Sequence, residues 1–371
     1  MPADGTLLHH ADPARAGKEE TAVCLRGLAT ALPPHKLDQD DVKERARAIF
    51  GDRYPHFDRI AASFDSAGID TRHSIVPLDW FEKSRGWSDR NDAYLEGATS
   101  MFVQAAEAAL KDADWRAADV DIVVTVSSTG IATPSLEARA HDAVGFRDDI
   151  MRVPVFGLGC AGGVSGLSMA RTLAAGRPGA KVLLVVVEAC SVAFRADRGR
   201  KSDIIAAILF GDGAAAVALS TGTNDGRGHV ILGNGVQQMW PDTLDIMGWD
   251  VDDTGFGVVF DRSIPDFVCS EFREATQRAL AATGWDMADV DRQICHPGGA
   301  KVVEAIESTL GLPDGSLDIE RDVLRGVGNM SAPTVLFVLD AALKAGAKGR
   351  LMAAALGPGF TASFLPMEVS R

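Results

Sequence analysis

Of the five cysteines, at 24, 160, 190, 269 and 295, one stands in a setting built for close approach. Cys160 lies within Gly157-Leu-Gly-Cys-Ala-Gly-Gly163, directly ahead of the apolar stretch Val164–Ala175. Flanking glycines let backbone and substrate come near the sulfur. With that stretch helical, its free amides and dipole favour a thiolate at its start, drawing the thiol below its ordinary pKa of about 8.5. A cysteine among glycines also serves as plain packing, so a nucleophile needs a base and an oxyanion donor. His296 is the best base: it follows a short strand ending at Cys295 and precedes Pro297-Gly298-Gly299, a turn that exposes an imidazole. The same tetrapeptide fits an ordinary strand end. Asn329, in Gly328-Asn-Met-Ser-Ala332, fits a helix N-cap and equally a neutral amide that polarises a thioester carbonyl without protonating a carbanion.

The elements that must position these residues come from a sequence that repeats itself. A shift of 170 residues lays Ser100–Asp121 on Ser270–Asp291 with ten identities in 22 positions, including Phe102/Phe272, Trp115/Trp285 and Asp121/Asp291. Each copy reads as a helix, a turn at Trp and a strand, Ile122–Val126 in one and Arg292–Cys295 in the other. Farther on, a one-residue gap sets Gly157-Leu-Gly-Cys160 on Gly326-Val-Gly-Asn329. Both tetrapeptides open apolar helices, Ala161–Ala175 and Ser331–Ala345, followed by buried strands at Lys181–Val187 and Leu351–Leu356. The pattern predicts two similar α/β halves with parallel-dominated mixed sheets. Their boundary is expected at 225/226, after a lead-in over 1–22. Cys160 and Asn329, on equivalent helix starts, would meet at the junction.

That meeting implies a chemistry. Cys160, paired with His296, accepts an acyl group from a coenzyme A thioester. Malonyl-CoA then loses carbon dioxide while His296 and Asn329 hold its thioester oxygen, and the enolate attacks the acyl-cysteine. The rest of the chain sets bounds. A net charge of −14 disfavours nucleic acid and requires a local basic mouth for an anionic substrate. No charge-free apolar run reaches the length of a membrane span, and the first twenty residues lack a signal-peptide pattern. An odd number of cysteines without Cys-x-x-Cys spacing implies a reduced, cytoplasmic protein with no structural metal.

These residues resemble the type III polyketide synthases, the chalcone synthase-like enzymes of the thiolase fold, over nearly the whole chain after residue 25. Matching motifs are Gly159-Cys-Ala-Gly-Gly163, Leu209-Phe-Gly-Asp-Gly-Ala-Ala215, His296-Pro-Gly-Gly299, Gly328-Asn-Met-Ser331 and Gly357-Pro-Gly359. The resemblance implies a five-layered αβαβα architecture, a homodimer, and a catalytic triad of Cys160, His296 and Asn329. It also implies free coenzyme A thioesters as substrates with no metal or redox cofactor. Phe210 matches the gatekeeper between the coenzyme A tunnel and the reaction cavity. Thr133 matches the loop that reaches into a partner's cavity.

Departures matter as much. Cavity threonines of chalcone synthase fall on Cys190 and Ala193, and a cavity phenylalanine falls on Val258. Ser128, Thr129, Trp249 and Ser331 complete the expected cavity. Of three basic positions at the coenzyme A mouth only Arg59 is retained, beside Gly298 and Gly299; the others fall on Ala62 and Ser66. Glu188-Ala-Cys-Ser191, Ile69-Asp-Thr-Arg-His73 and Met247-Gly-Trp-Asp250 resemble the bacterial branch, many of whose members extend medium or long fatty acyl starters into alkylpyrones or alkylresorcinols. Cys190 also matches a second cavity cysteine of some naphthalene-forming synthases. The rival from the same fold is the ketoacyl synthase that primes fatty acid synthesis, which usually carries His-Gln-Ala-Asn where this chain has His296-Pro-Gly-Gly. A rival of another class is a non-catalytic acyl-CoA binder, for which an intact Cys, His and Asn would be superfluous.

Overall fold

The structure is a computed structural model that describes residues 22–193, 195, 197–222, 230–261 and 263–370. The expected lead-in, up to residue 21, and the 225/226 boundary lie outside them. The strands are β1 (Val23–Ala31), β2 (His35–Asp38), β3 (Thr71–Ser74), β4 (Ile122–Val126), β5 (Met151–Val155), β6 (Lys181–Ala189) and β7 (Asp212–Thr221). They continue with β8 (Val230–Leu232), β9 (Val236–Met239), β10 (Met247–Asp252), β11 (Gly255–Phe260), β12 (Arg292–Cys295), β13 (Gly349–Gly357) and β14 (Thr361–Val369).

One sheet runs β12-β13-β14-β8-β1-β7-β6-β4-β5, with β9 paired to β14. Short β8 bridges β14 and β1, so the two halves share a continuous sheet. Between its arms lie two helices, Gly162–Gly176 and Thr334–Lys344, one from each repeat. The first touches β4, β6 and β7 on one side and β13 and β14 on the other; the second touches β12, β13, β1 and β7. Helix Trp87–Asp112 covers the outer face of the first arm, and helices Arg273–Ala281 and Ala300–Leu310 belong to the outer core of the second. The layering is helix, sheet, helices, sheet, helix.

Strand patterning explains why both faces are covered. In β6, Val182, Leu184 and Val186 enter the central core while Leu183, Val185 and Val187 enter the outer one. In β13 the same alternation sends Leu351, Ala353 and Ala355 inward and Met352, Ala354 and Leu356 outward. A strand without a wet face reads as one apolar run.

The repeat is visible down to single side chains. Lys181 lies over the Trp115 ring and Arg350 over the Trp285 ring, each at 5.1 Å. Asp121 accepts from the Lys181 amide and Asp291 from the Arg350 amide, both at 2.8 Å. The expected parallel dominance does not hold: β4–β5, β4–β6 and β12–β13 are parallel, whereas β1–β7, β6–β7 and β13–β14 are antiparallel. The turn at Pro358-Gly359-Phe360 is too short for a parallel crossover and forces β13 and β14 into a hairpin.

Candidate active site

Cys160 sits in a 3-10 turn, Gly159–Ala161, that feeds directly into helix Gly162–Gly176. Gly159 holds φ +46° with Pro358 against it, a backbone state that favours glycine. At Gly163 an added Cβ would stand 2.3 Å from the Ala332 carbonyl oxygen. Absence of that carbon lets the Cys160 and Ser331 segments touch, and the Ser331 hydroxyl lies 3.5 Å from the Cys160 sulfur.

Cys160, His296 and Asn329 line one small cavity of about 430 Å³, with Met247, Phe260, Ile264, Val302 and Ala354–Leu356 around them. The His296 backbone amide is fixed to Ala354 O at 2.9 Å, yet both ring nitrogens are buried without a hydrogen-bond partner. Asn329 donates from Nδ2 to Gly298 O at 3.1 Å and accepts the Ser331 amide at 2.7 Å. One Nδ2 hydrogen remains for a ligand. Asn329 also bonds through its backbone to Leu209 O and Gly211 N, which clamps the Phe210 segment of one repeat onto the other.

Burial pushes the Cys160 thiol up to about 11, against a downward pull from the Ser331 hydroxyl, and pushes the His296 imidazole down to about 4. The lowered thiol expected from a helix start alone is therefore not the resting state, because desolvation outweighs it. Both shifts have one cause, the cost of a lone charge in an apolar cavity. They offset each other when a proton passes from sulfur to ring, since thiolate beside imidazolium carries no net charge.

Beyond Cys160 a larger cavity of about 1080 Å³ is walled by Ser128, Thr129, Cys190, Phe210, Trp249, Val258 and Ser331, seven of the expected residues. Ser128 does more than line it. Its hydroxyl accepts the Gly157 and Gly159 amides at 3.1 and 3.4 Å, its amide donates to Glu188, and its carbonyl accepts Trp249 Nε1 at 2.7 Å. Ala193 lies elsewhere, in a separate pocket with Gly130, Gly255 and Phe256 behind Thr129. Thr133 is exposed and lines none of these cavities.

On the opposite side an open cleft of about 1600 Å³ holds Arg59, Gly298 and Gly299, and shares Phe260, Ile264, Gly298 and Val302 with the small cavity. Its wall adds Lys201 and Lys301, which the sequence reading missed, with Asp261 as the one acid. Among the described residues, Arg59, Lys201 and Lys301 have no carboxylate at salt-bridge distance. Two further residues were missed. Phe260 meets Phe210 edge-on at 6.4 Å, two positions after Val258 and so on the same strand face. Glu188 is fully buried, bonded to the Ser128 amide and the Thr129 hydroxyl, and desolvation raises its carboxyl to about 8. A lone acid closing the run Val185-Val-Val-Glu188 was the available signal.

A buried cysteine, histidine and asparagine where two repeated α/β halves converge define a condensing enzyme of thiolase-like fold. Comparison with known proteins narrows the class. Residues 80–223 match the N-terminal domain, and residues 232–367 the C-terminal domain, of chalcone and stilbene synthases. The chain is 37% identical over 366 residues to a 1,3,6,8-tetrahydroxynaphthalene synthase of Streptomyces peucetius subsp. caesius, covering 95% of this chain and 96% of that one. It is 28% identical over 365 residues to the alpha-pyrone synthesis polyketide synthase-like Pks18 of Mycobacterium tuberculosis, covering 95% and 92%. The crystal structure of the Streptomyces coelicolor A3(2) tetrahydroxynaphthalene synthase superimposes with a TM-score of 0.88 at 28% identity, over 94% of this chain and 99% of that one. The chain belongs to the chalcone and stilbene synthase family, the type III polyketide synthases, and is an acyltransferase of the malonyl-CoA-condensing kind.

Proposed function

We propose that this synthase loads a medium- or long-chain acyl group from its coenzyme A thioester onto Cys160 and extends it with malonyl-CoA. Cyclisation to a pyrone or resorcinol follows. One observation carries the reading: Cys160 stands in the wall of both the cavity that holds His296 and Asn329 and a larger, predominantly apolar one. An aliphatic chain gains about 0.8 kcal/mol for each methylene buried there.

His296 takes the thiol proton as Cys160 attacks the acyl thioester, then returns it to the departing coenzyme A sulfur. Malonyl-CoA next occupies the same cleft. Its carboxylate leaves as carbon dioxide, the bonding pair passes to the enolate, and His296 and the free Nδ2 hydrogen of Asn329 hold the enolate oxygen. The enolate carbon attacks the acyl-cysteine, and sulfur departs as the thiolate. Arg59, Lys201 and Lys301 face the phosphates of coenzyme A, with Gly298 and Gly299 along the pantetheine, and Phe210 with Phe260 divides cleft from acyl cavity. No metal or redox cofactor enters these steps. The enzyme works as a cytoplasmic homodimer. Exposed Ile131, Met151 and Phe156 near edge strand β5 support that interface, as does Thr133, which is exposed and lines no cavity of its own chain. No helix among the described residues is long and apolar enough to cross a membrane.

A second reading, a naphthalene-forming synthase, is favoured by the relatives of that name and by Cys190 in the acyl cavity. The priming ketoacyl synthase has weaker support, given the family match and His296-Pro-Gly-Gly. Product mass analysis with octanoyl- to palmitoyl-CoA plus malonyl-CoA, and with malonyl-CoA alone, separates all three. Alkylated pyrones or resorcinols support the first reading and tetrahydroxynaphthalene from malonyl-CoA alone the second. Release of only a once-extended acyl chain would sink both.

A further inference from the structure

Among the described residues, β10 and β11 pair with each other and with no strand of the main sheet. A lone hairpin is marginally stable in water, so side chains must hold this one over the cavity it walls. Trp249 and Val258, paired across it, line the larger cavity. The alternate pairs, Asp250 with Gly257 and Asp252 with Gly255, stand on the opposite face and line neither that cavity nor the one holding His296. Three arginines meet that face from the stretch between the turn Cys190–Ala193 and helix Lys201–Leu209. Arg198 donates from Nη2 to Asp250, and its Nη1 stands 3.8 Å from Asp252. Arg195 donates to Asp252 at 2.9 Å and Arg200 to Asp250 at 3.1 Å. The Arg195 and Arg198 side chains are 3% and 8% exposed, unusually deep for arginine, whereas both acids stay half-exposed. Arg198 is seated by a missing side chain: a Cβ on Gly257 would collide with its Nη1, so the guanidinium occupies that place on the strand. On the inner face Trp249 Nε1 donates to Ser128 O, and the Ser128 hydroxyl holds the Gly157 and Gly159 amides ahead of Cys160. Contacts therefore run from Arg198 through Asp250, Trp249 and Ser128 to the turn of the nucleophile.

We propose that Arg198 is a positioning residue: seated on Gly257 and bound to Asp250 and Asp252, it holds the β10–β11 hairpin closed over an acyl group on Cys160 and keeps water from the thioester. The inference rests on the loading of Cys160 proposed above and on no particular starter. An acyl-cysteine gives up its chain in one of two ways. The enolate carbon attacks the carbonyl and extends the chain. Otherwise water attacks: its oxygen bonds to the carbonyl carbon, the C–S bond breaks, and sulfur recovers a proton as the free acid leaves. Extension must wait for malonyl-CoA to bind and lose carbon dioxide, so it wins only while water is kept out. Losing the charged hydrogen bonding of Arg198 should raise the open population of the hairpin, and with it hydrolysis, about tenfold.

The test uses the full-length protein, R198M, R198K and G257A. Neither Arg198 nor Gly257 lines any cavity described above, so an effect on the acyl group must travel through the hairpin. R198M removes the charge and keeps an apolar stem. G257A leaves every charge in place and drives the guanidinium off the strand. Each protein is incubated with acetyl-, malonyl- or octanoyl-CoA, whichever loads by intact mass, separated from free thioester, and followed as the adduct decays. R198M and G257A should lose the acyl group about tenfold faster than wild type, with loading rates within about twofold, and R198K should fall between. Hydrogen exchange should quicken across residues 247–260 and stay unchanged in Lys181–Ala189. Should R198M fail to fold, G257A decides. An unchanged adduct lifetime in the folded variants, with loading intact, overturns the role of Arg198 and leaves the loading reading standing. Faster decay with exchange raised in both segments means general loosening and overturns it equally. No acyl adduct on wild-type Cys160 from any of the three thioesters overturns the loading reading and the inference with it.

Discussion

Replacing His296 with Gln keeps a polar side chain of similar reach in the small cavity and removes its only titratable group besides Cys160. The thiol is then left with the shift that burial imposes, up to about 11. At pH 7 such a thiol is about 0.01% ionised, against about 3% for an ordinary one near 8.5, a ratio of roughly 300. A more basic thiolate is also the better nucleophile, by about 13-fold over this interval at a Brønsted slope near 0.45. The net expectation is alkylation about 20-fold slower than an ordinary thiol at pH 7, before any steric hindrance. Iodoacetamide labelling followed by peptide mass spectrometry reads it directly, with exposed Cys269 as a reference inside each molecule. In H296Q the Cys160 rate, divided by that of Cys269, should fall far below the wild-type ratio and keep climbing well above pH 9. Wild-type Cys160, able to pass its proton to the ring, should level off earlier. Equal ratios with matching pH profiles would refute the coupling of thiol and imidazole.

Three other expectations follow from the same geometry. Substituting Lys201 or Lys301 with Ala should raise KM for malonyl-CoA about tenfold each, with kcat unchanged, since each removes a charged donor to a phosphate. The KM for malonyl-pantetheine, which lacks the nucleotide, should not move; steady-state kinetics with both thioesters decides. Glu188 keeps its proton up to about 8 when folded but ionises near 4.5 when unfolded, so the stability it contributes is full below 4.5 and is lost as pH rises toward 8. E188Q should remove that slope, and parallel melting curves for both proteins between pH 5 and 8 would count against it. At Gly163 an Ala side chain would meet Ala332 O at 2.3 Å and push the two helix starts apart. About 1–3 kcal/mol of stability should go, measured by urea unfolding, together with a disproportionate fall in kcat.

Much of the candidate site is legible in the amino-acid sequence. The repeat put Cys160 and Asn329 on equivalent helix starts because duplicated segments keep their apolar spacing, and spacing is what a sequence records. The strand limits Ile122–Val126 and Arg292–Cys295 matched because Asp121 and Asp291 end each preceding turn in the same way. Strand direction was harder: β7 and β14 are as apolar as parallel core strands, and nothing in an apolar run states its orientation. Lys201 and Lys301 escaped notice because they stand 100 residues apart, each at the first turn of a helix where a lysine looks like ordinary surface. Phe260 escaped although it stands two positions after Val258 on the same strand face, because nothing in the sequence brings that face to Phe210. The depth of the larger cavity depends on helix Gln39–Phe50, whose pattern announces only one buried face.

The β10–β11 hairpin places one piece of chain in the wall of every compartment. Met247 borders both the larger and the small cavity, Trp249 and Val258 the larger one, and Phe260 these two and the open cleft as well. Under the proposed function, selection on this hairpin would be pleiotropic: a change that reshapes the space for one acyl chain would also alter how the next malonyl unit reaches it. Helix Gln39–Phe50 borders the larger cavity and neither of the other two, so a change there would reshape one compartment alone.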